Sequence, residues 1–397
     1  KEVVQLLLNH GGDANAVDDV GMTCMDVVVK THNPSLRNLL EGSGIKLQSA
    51  LEQRARESSW LLKASDFELK KEIGNTLKSV VHLAEWHGSL VVVKCIKMQH
   101  RVLMRNSRKS NSLRLSLPFD FDEQTSDAEP EPSTPVDPAV ERACTEELLH
   151  EIQLLSTLRH PDLVLFLGAC LEPGMPTMFL TEYMPKGDVE HYLYHMREEK
   201  QVAHYAPPLW RTMDWCSAIA RALAFLHRVP VIHRDLKPLN LLLTKTLDVK
   251  VTDFGTSRLM ASPCDPEDGL RSCRLRRSGS IDSNMTIGVG THNYMAPEVV
   301  RTKHYNEKVD IYSFSLVMFY LSSGKRPFYH LGCSPTEILD RFAAGEEPRP
   351  DANECHKVLR ALMKQCWSKK PNHRPSAEEV LHSLQGMNGA QCGCSTM

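Results

Sequence analysis

Asp235, Lys237, Asn240 and Asp253 are the side chains of this sequence best suited to act together. Three come from one run, His233-Arg234-Asp235-Leu236-Lys237-Pro238-Leu239-Asn240, and the fourth from Asp253-Phe254-Gly255 shortly after it. The run sets a carboxylate, an ammonium two residues on and an amide five residues on; the second motif adds another carboxylate. Together these groups could orient and deprotonate a hydroxyl, neutralise a moving phosphoryl group and offer oxygen ligands to Mg²⁺. Chance readily supplies any one of the short matches. The full run at this spacing, with the second motif close behind, is specific.

Such groups need a scaffold, and the chain is long enough for two or three domains. It has 397 residues, 42% hydrophobic and 24% charged, ordinary for a globular protein with a full core. A formal net charge of −2 gives no electrostatic case for nucleic acid or a membrane surface as main partner. The 12 cysteines are scattered without paired metal-ligand spacing, which predicts reduced thiols and a cytoplasmic or nuclear setting. No apolar run approaches the roughly 18 residues that span a bilayer. The sequence opens on a lysine inside an amphipathic pattern and so reads as a fragment, with any targeting signal out of view.

Residues 1–44 carry a repeat. Val3-Val4-Gln5-Leu6-Leu7-Leu8 is a helical stripe closed by Gly11-Gly12-Asp13, and Leu7 and Gly11 recur as Leu40 and Gly44, a period of 33. That is the ankyrin period, with Thr23-Cys24-Met25-Asp26 a degraded form of its turn. The segment is expected to end an ankyrin array that binds a protein partner; an ordinary helical hairpin is the plainer alternative. Residues 45–66 are polar and read as a linker. Alternation predicts strands from Phe67 to Ile73, Val80 to Trp86 and Leu90 to Ile96. Residues 99–141 are basic, then acidic and proline-rich, and are expected to be a disordered insert. A helix over 146–158, strands at 163–171 and 177–183, and helices near 211–228, 308–323, 336–344, 355–367 and 376–385 should follow. The tail 386–397 is expected to be mobile. Its Cys394-Ser395-Thr396-Met397 end has the cysteine position of a lipidation signal, but Ser395 and Thr396 suit the aliphatic positions poorly. A free tail is therefore the expectation.

Residues 67–385, the insert excepted, resemble the eukaryotic protein kinases. The resemblance implies an α+β, two-lobed fold with a small β-rich lobe and a large helical lobe, and it implies ATP and Mg²⁺ as cofactors and protein substrates. Val91-Val92-Val93-Lys94 resembles the strand whose lysine contacts the ATP phosphates, and Glu151 its ion-pair partner. Asp235 would be the catalytic base, Lys237 a phosphate-neutralising cation, and Asn240 and Asp253 the metal ligands. Thr181 resembles the gatekeeper, Glu182 and Met184 the adenine-binding hinge, and Ile73, Val81, Val92 and Leu242 the walls of the nucleotide pocket. Gly290 to Glu298 resembles the end of the activation segment, with Arg374 pairing Glu298 and Arg234 docking a phosphate on Ser280, Ser283 or Thr286.

Lys237-Pro238 is the Ser/Thr-kinase form. Leu158-Arg159-His160-Pro161, Phe166 to Cys170 and Cys366-Trp367 are similar to the tyrosine-kinase-like group, whose members often carry ankyrin repeats. The glycine-rich loop departs from the pattern. Only Gly74 and Val81 remain, while Thr76 and Ser79 put side chains where backbone N–H groups should approach phosphates. That predicts weak ATP binding and slow transfer, and it keeps a second reading open: a pseudokinase scaffold.

Overall fold

A computed structural model describes residues 2–10, 12, 24, 28, 36, 39–40, 42, 47–75, 79–96, 138–259, 291–301 and 305–392. Contacts divide the chain into two compact units. One holds residues 44–156 and 166–183; the other holds 1–43, 157–165 and 184–397.

In the first part of the chain, α1 (Glu2–Asn9) ends as its glycines predict. The Gly12 N–H reaches back to the Leu7 carbonyl at 2.8 Å, and a Cβ on Gly12 would meet that oxygen at 2.8 Å. Most of the remaining residues of the expected ankyrin repeat lie outside the described residues. So does most of the expected insert.

The smaller unit is built on a six-stranded sheet of order β1-β5-β6-β4-β3-β2. After α2 (Leu47–Glu57), its strands are β1 (Leu61–Leu62), β2 (Phe67–Asn75), β3 (Ser79–Trp86) and β4 (Ser89–Ile96). Helix α3 (Pro138–Thr157) and strands β5 (Phe166–Cys170) and β6 (Met178–Glu182) complete it. His87 and Gly88, at φ 49° and 76°, make the tight turn between β3 and β4. Positive φ at both central residues matches the twist of a two-residue hairpin. One sheet face buries Val80, Ala84, Val91, Val93, Cys95, Met178 and Leu180.

Several boundaries differ from expectation: the helix expected over 355–367 is confined to Arg360–Cys366 and the strand expected at 163–171 to Phe166–Cys170. Residues 45–66 are not a plain linker: Leu51 and Ala55, four apart on α2, are fully buried, and Trp60 is 5% exposed. Leu61 and Leu62 then pair in parallel with Ala169 and Cys170. Helix α3 starts at Pro138, so residues 138–141 are helical and not part of a disordered insert. Proline at a helix start loses no hydrogen bond, since its missing N–H would have been unpaired there.

The larger unit contains α4 (Val189–Glu199), α5 (Leu209–Arg228), β7 (Val231–Ile232), β8 (Leu241–Leu243), β9 (Val249–Val251) and β10 (Arg258–Leu259). It continues with α6 (Pro297–Arg301), α7 (Lys308–Ser323), α8 (Pro335–Ala343), α9 (Arg360–Cys366) and α10 (Ala377–Cys392). Strands β8 and β9 form one antiparallel pair, and β7 with β10 another. Every residue of α7 from Val309 to Ser322 is buried, as befits a helix apolar on all sides. It stops at Gly324, φ 70°, where a Cβ would also meet the Tyr205 carbonyl at 2.5 Å. Helix α10 extends to Cys392, seven residues past its expected end, so the tail begins later than its composition indicated.

Gly168 tests the N-terminal strand. A Cβ there would meet Leu62 Cδ1 and the Trp60 carbonyl, both at 2.7 Å. Gly168→Ala should destabilise the fold by roughly 1–3 kcal/mol, as overpacking does. Urea titration followed by tryptophan fluorescence measures it.

Candidate active site

The larger unit brings Asp235, Lys237 and Asn240 into one hydrogen-bonded cluster. Lys237 Nζ donates to Asp235 Oδ2 at 2.7 Å. Asn240 Nδ2 donates to the Asp235 carbonyl at 2.7 Å and to its Oδ2 at 3.1 Å. With both bonds on its nitrogen, the Asn240 amide oxygen is left as an acceptor. A single 3-10 turn, Pro238–Asn240, makes this possible by folding Asn240 back toward Asp235.

Asp253 is delivered from the other side of the β8–β9 pair. The Thr252 N–H donates to the Asn240 carbonyl at 3.0 Å, and His233 Nε2 lies 3.0 Å from the Thr252 carbonyl. These bonds tie the residue before Asp253 to both ends of the catalytic run. Asp253 itself has φ 66°, a conformation that costs a non-glycine residue about 1–3 kcal/mol. Phe254 is fully buried, its ring edge-on to His233 at 5.2 Å.

An amide oxygen at 240 and a carboxylate at 253 are hard ligands. No cluster of three or more His, Cys, Asp or Glu side chains suited to a metal occurs among the described residues. Two protein oxygens, with water and phosphate completing the shell, fit Mg²⁺ better than a cation that needs a closed protein cage.

The cluster hangs from Asp310, a fully buried carboxylate in the first turn of α7. Its Oδ2 accepts from the His233 N–H at 2.9 Å and lies 2.9 Å from His227 Nε2; its Oδ1 accepts from the Arg234 N–H at 2.8 Å. Arg234 sits at φ 68°, and these bonds hold it there. Its guanidinium donates to the Thr256 carbonyl and, at 2.9 Å, to the Tyr305 hydroxyl. The residues proposed to carry a docking phosphate, Ser280, Ser283 and Thr286, lie outside the described residues.

Burial pushes the Asp235 carboxyl up; Lys237 opposes this and Asp253 adds to it, leaving the group above an ordinary aspartate. For Asp310, burial also acts upward, but the His227 hydrogen bond and charge and the bond from the Arg234 N–H outweigh it. Its carboxyl is held below the usual range.

The smaller unit holds the second group. Lys94 Nζ donates to Glu151 Oε2 at 2.8 Å and Oε1 at 3.0 Å, so the expected ion pair is closed. Lys94 pairs directly with Val81 on one side and Phe179 on the other; Val92 pairs with Leu83 and Thr181. Gly74 pairs with Val81 at the far edge. Directly paired residues share a sheet face, so Gly74, Val81, Lys94, Val92 and Thr181 lie on one face. Ile73 is exposed at a register shift, and Glu182 ends β6. Met184 and Leu242 belong to the larger unit, where Leu242 bridges to Asp188.

Of the worn glycine loop, the two ends are described. Ser79 is a regular β3 residue paired with Ile96, and it is not among the residues with positive φ. A Cβ on Gly74 would make only ordinary contacts, 3.4 Å and 3.7 Å, with Val81. Thr76 lies outside the described residues.

Sequence reasoning placed position 310 only within the helix expected near 308–323 and assigned Asp310 no partners. The signal was there: a carboxylate inside an otherwise apolar helix must be paired. Glu298 and Arg374 do pair, Arg374 Nη2 donating to Glu298 Oε2 at 3.0 Å.

Since Asp310 is depressed in the folded state, its contribution to stability is fully present above the unfolded value near pH 4 and is lost as pH falls through the lower folded value. Asp310→Ala should cost about 3–5 kcal/mol at neutral pH, the range for breaking a buried pair. It should also flatten the loss of stability below about pH 4. Denaturant melts from pH 3 to pH 7 test both.

Sequence comparison agrees with this geometry. The protein kinase domain family matches residues 136–384. The serine/threonine-protein kinase VIK of Arabidopsis thaliana is 34% identical over 249 residues, 62% of this chain and 51% of that protein. The serine/threonine/tyrosine-protein kinase HT1 of the same plant is 33% identical over 240 residues, 60% of this chain and 54% of that protein. Serine/threonine-protein kinase 12, also from Arabidopsis thaliana, is 28% identical over 398 residues, 98% of this chain and 72% of that protein. The chain thus spans about half the length of the first two relatives. Lys94 lies upstream of the family match and rests on its ion pair with Glu151. With the β-sheet unit, the helical unit and the Asp235–Asn240 cluster in place, the chain belongs to the eukaryotic protein kinases, in their tyrosine-kinase-like group.

Proposed function

We propose that the chain is an active Ser/Thr protein kinase, transferring the ATP γ-phosphoryl group to protein hydroxyls. The observation that carries this reading is the intact cluster of Asp235, Lys237 and Asn240, joined by bonds of 2.7–3.1 Å. Asp235 orients the acceptor hydroxyl and takes its proton. A carboxylate raised by burial is the stronger base for that task. Lys237 already lies against Asp235 and neutralises charge on the phosphoryl group in transit. Lys94, held by Glu151, binds the nucleotide phosphates. Asn240 and Asp253 are the Mg²⁺ ligands, and the ion supplies charge neutralisation to the phosphates.

Gly74, Val81, Val92 and Thr181, which share a sheet face with Lys94, are proposed to be nucleotide-binding residues, as are Ile73, Glu182, Met184 and Leu242. Ser/Thr preference rests on Lys237-Pro238 and on the names of the relatives. Residues 1–44 are proposed to belong to an ankyrin region that recruits a protein partner. A cytoplasmic setting is proposed because the 12 cysteines are scattered without paired spacing, as in a reduced-thiol protein. No described helix is long and apolar enough to cross a membrane.

Asp235→Asn should reduce phosphorylation of a generic basic protein by roughly 10²–10⁴-fold. The variant should melt no lower than the parent at neutral pH. Asp235 is raised in the folded state, so its ionised form weakens the fold as pH rises through the folded value, and asparagine removes that cost. A radiolabelled-ATP assay beside thermal melts measures both. Unchanged turnover would remove Asp235 from the mechanism. A parent chain with no transfer at all, its activation segment phosphorylated, would make the scaffold reading the better one.

A further inference from the structure

Both proposed metal ligands stand at the edge of the β8–β9 pair, and what fixes the outer side of β9 is a short loop before β5. Residues 160–164 lie along β9, with Leu163 bridging to Val251 in parallel. The Val251 N–H donates to the Asp162 carbonyl at 2.9 Å, and the Val251 carbonyl accepts from the Val164 N–H at 3.0 Å. Val251 is two residues before Asp253. On its inner side β9 is paired to β8, and the next residue, Thr252, is bonded to Asn240. The peptide that delivers Asp253 is therefore clamped on both sides.

The loop has its own anchor. Arg221 Nε donates to Asp162 Oδ2 at 2.8 Å, and Arg221 Nη2 to Asp162 Oδ1 at 2.9 Å, a bidentate pair. Four residues along α5, Phe225 stacks on the His160 ring at 5.0 Å and 27°. Residues four apart share a helix face, so α5 offers a guanidinium and a ring side by side, matching a carboxylate and an imidazole two residues apart in the loop. The Asp162 N–H also donates to His160 Nδ1 at 3.2 Å, which requires that nitrogen unprotonated. Burial favours this by lowering the His160 pKa, with Asp162 acting against it and Arg221 with it. The Asp162 side chain is 12% exposed, shielding the pair from solvent on that side, while Arg221 is 44% exposed.

We propose that Asp162 and Arg221 are positioning residues for Asp253: their ion pair holds the loop that clamps β9 and so sets the distance between the two metal ligands, Asn240 and Asp253. Neither residue is among the proposed nucleotide-binding or metal-binding side chains. The pair acts through the Val251 peptide, and losing it lets β9 move away from the loop while β8 still holds Asn240. The inference rests on the reading of Asp253 as a Mg²⁺ ligand.

The test uses the full chain with Asp162→Ala, Arg221→Ala, the double variant and Asp253→Ala. Amide hydrogen exchange without ligand reads the clamp directly, and kinase assays across a Mg²⁺ titration at fixed ATP read its effect. Each single variant should speed exchange at Val251 by about tenfold or more, as local opening does when an anchor is lost. Each should raise the half-saturating Mg²⁺ several-fold while turnover at saturating Mg²⁺ changes little. The double variant should be no worse than either single, since both remove one interaction. Arg221→Ala lies on an exposed helix face and keeps the test available if Asp162→Ala does not fold. Parental exchange in the Arg221 variant overturns the proposal, and so does faster exchange with parental Mg²⁺ dependence, which would make the pair structural only. Parental Mg²⁺ dependence in Asp253→Ala would overturn the ligand reading, and this inference with it. A large loss in Asp253→Ala beside parental behaviour in the other variants would overturn this inference alone.

Discussion

One buried carboxylate organises the larger unit. Asp310 has no exposure, yet it accepts from two consecutive backbone N–H groups, those of His233 and Arg234. A free carboxylate in that place would be very costly, so its bonds cannot be given up cheaply. That is what lets Arg234 keep a positive φ that its side chain disfavours. With the backbone fixed at 233 and 234, Asp235 follows directly, and the 3-10 turn brings Asn240 back onto it. Asp310 is held in place because α7 is buried all round, so a helix enclosed by apolar packing orients a polar cluster.

The two positive-φ residues beside the chemistry, Arg234 and Asp253, are held by different means. Arg234 is gripped by a carboxylate through its own N–H. Asp253 is held by its neighbours: Thr252 is bonded to Asn240 and His233, and Val251 is clamped between β8 and the loop at 160–164. Strain at a functional residue persists only where the surrounding bonds determine the backbone more strongly than the residue's own preference. Here each of those bonds has a main-chain group on at least one side, which explains why so few of them can be recognised as a pattern of side-chain types.

That distinction also sets what could be read from the sequence. The clustering of Asp235 with Lys237 and Asn240 and the pairing of Lys94 with Glu151 were legible because a motif fixes both side-chain type and spacing. Helix α7 was legible at both ends, since a long, largely apolar stretch ending in glycine leaves little choice. The bonds to Asp310 and the Arg221–Asp162 pair were not, because they join segments about 60 to 80 residues apart, and those to Asp310 also use backbone groups that every residue carries. Ser79, a side chain in a glycine position, stands in the regular pairing of β3 and has no positive φ.

Residues 47–66 show why composition misjudged a boundary. The segment is polar on average, and a linker is the natural reading of such an average. Four of its residues carry the packing instead: Leu51 and Ala55 on one face of α2, then Trp60 and Leu62 at the strand. Fully burying a side chain of leucine size contributes about 1.5–3 kcal/mol, enough to order a short helix whose other face stays in water. Trp60 adds an edge-on contact with Phe166 at 5.5 Å, and the Trp60 carbonyl accepts from the Ala169 N–H at 3.0 Å. Phe166 packs against Phe179, whose ring lies 5.7 Å from the Lys94 ammonium. A few apolar residues at the right spacing therefore make this stretch part of the wall behind the Lys94–Glu151 pair, and the mean polarity of the segment carries no record of it.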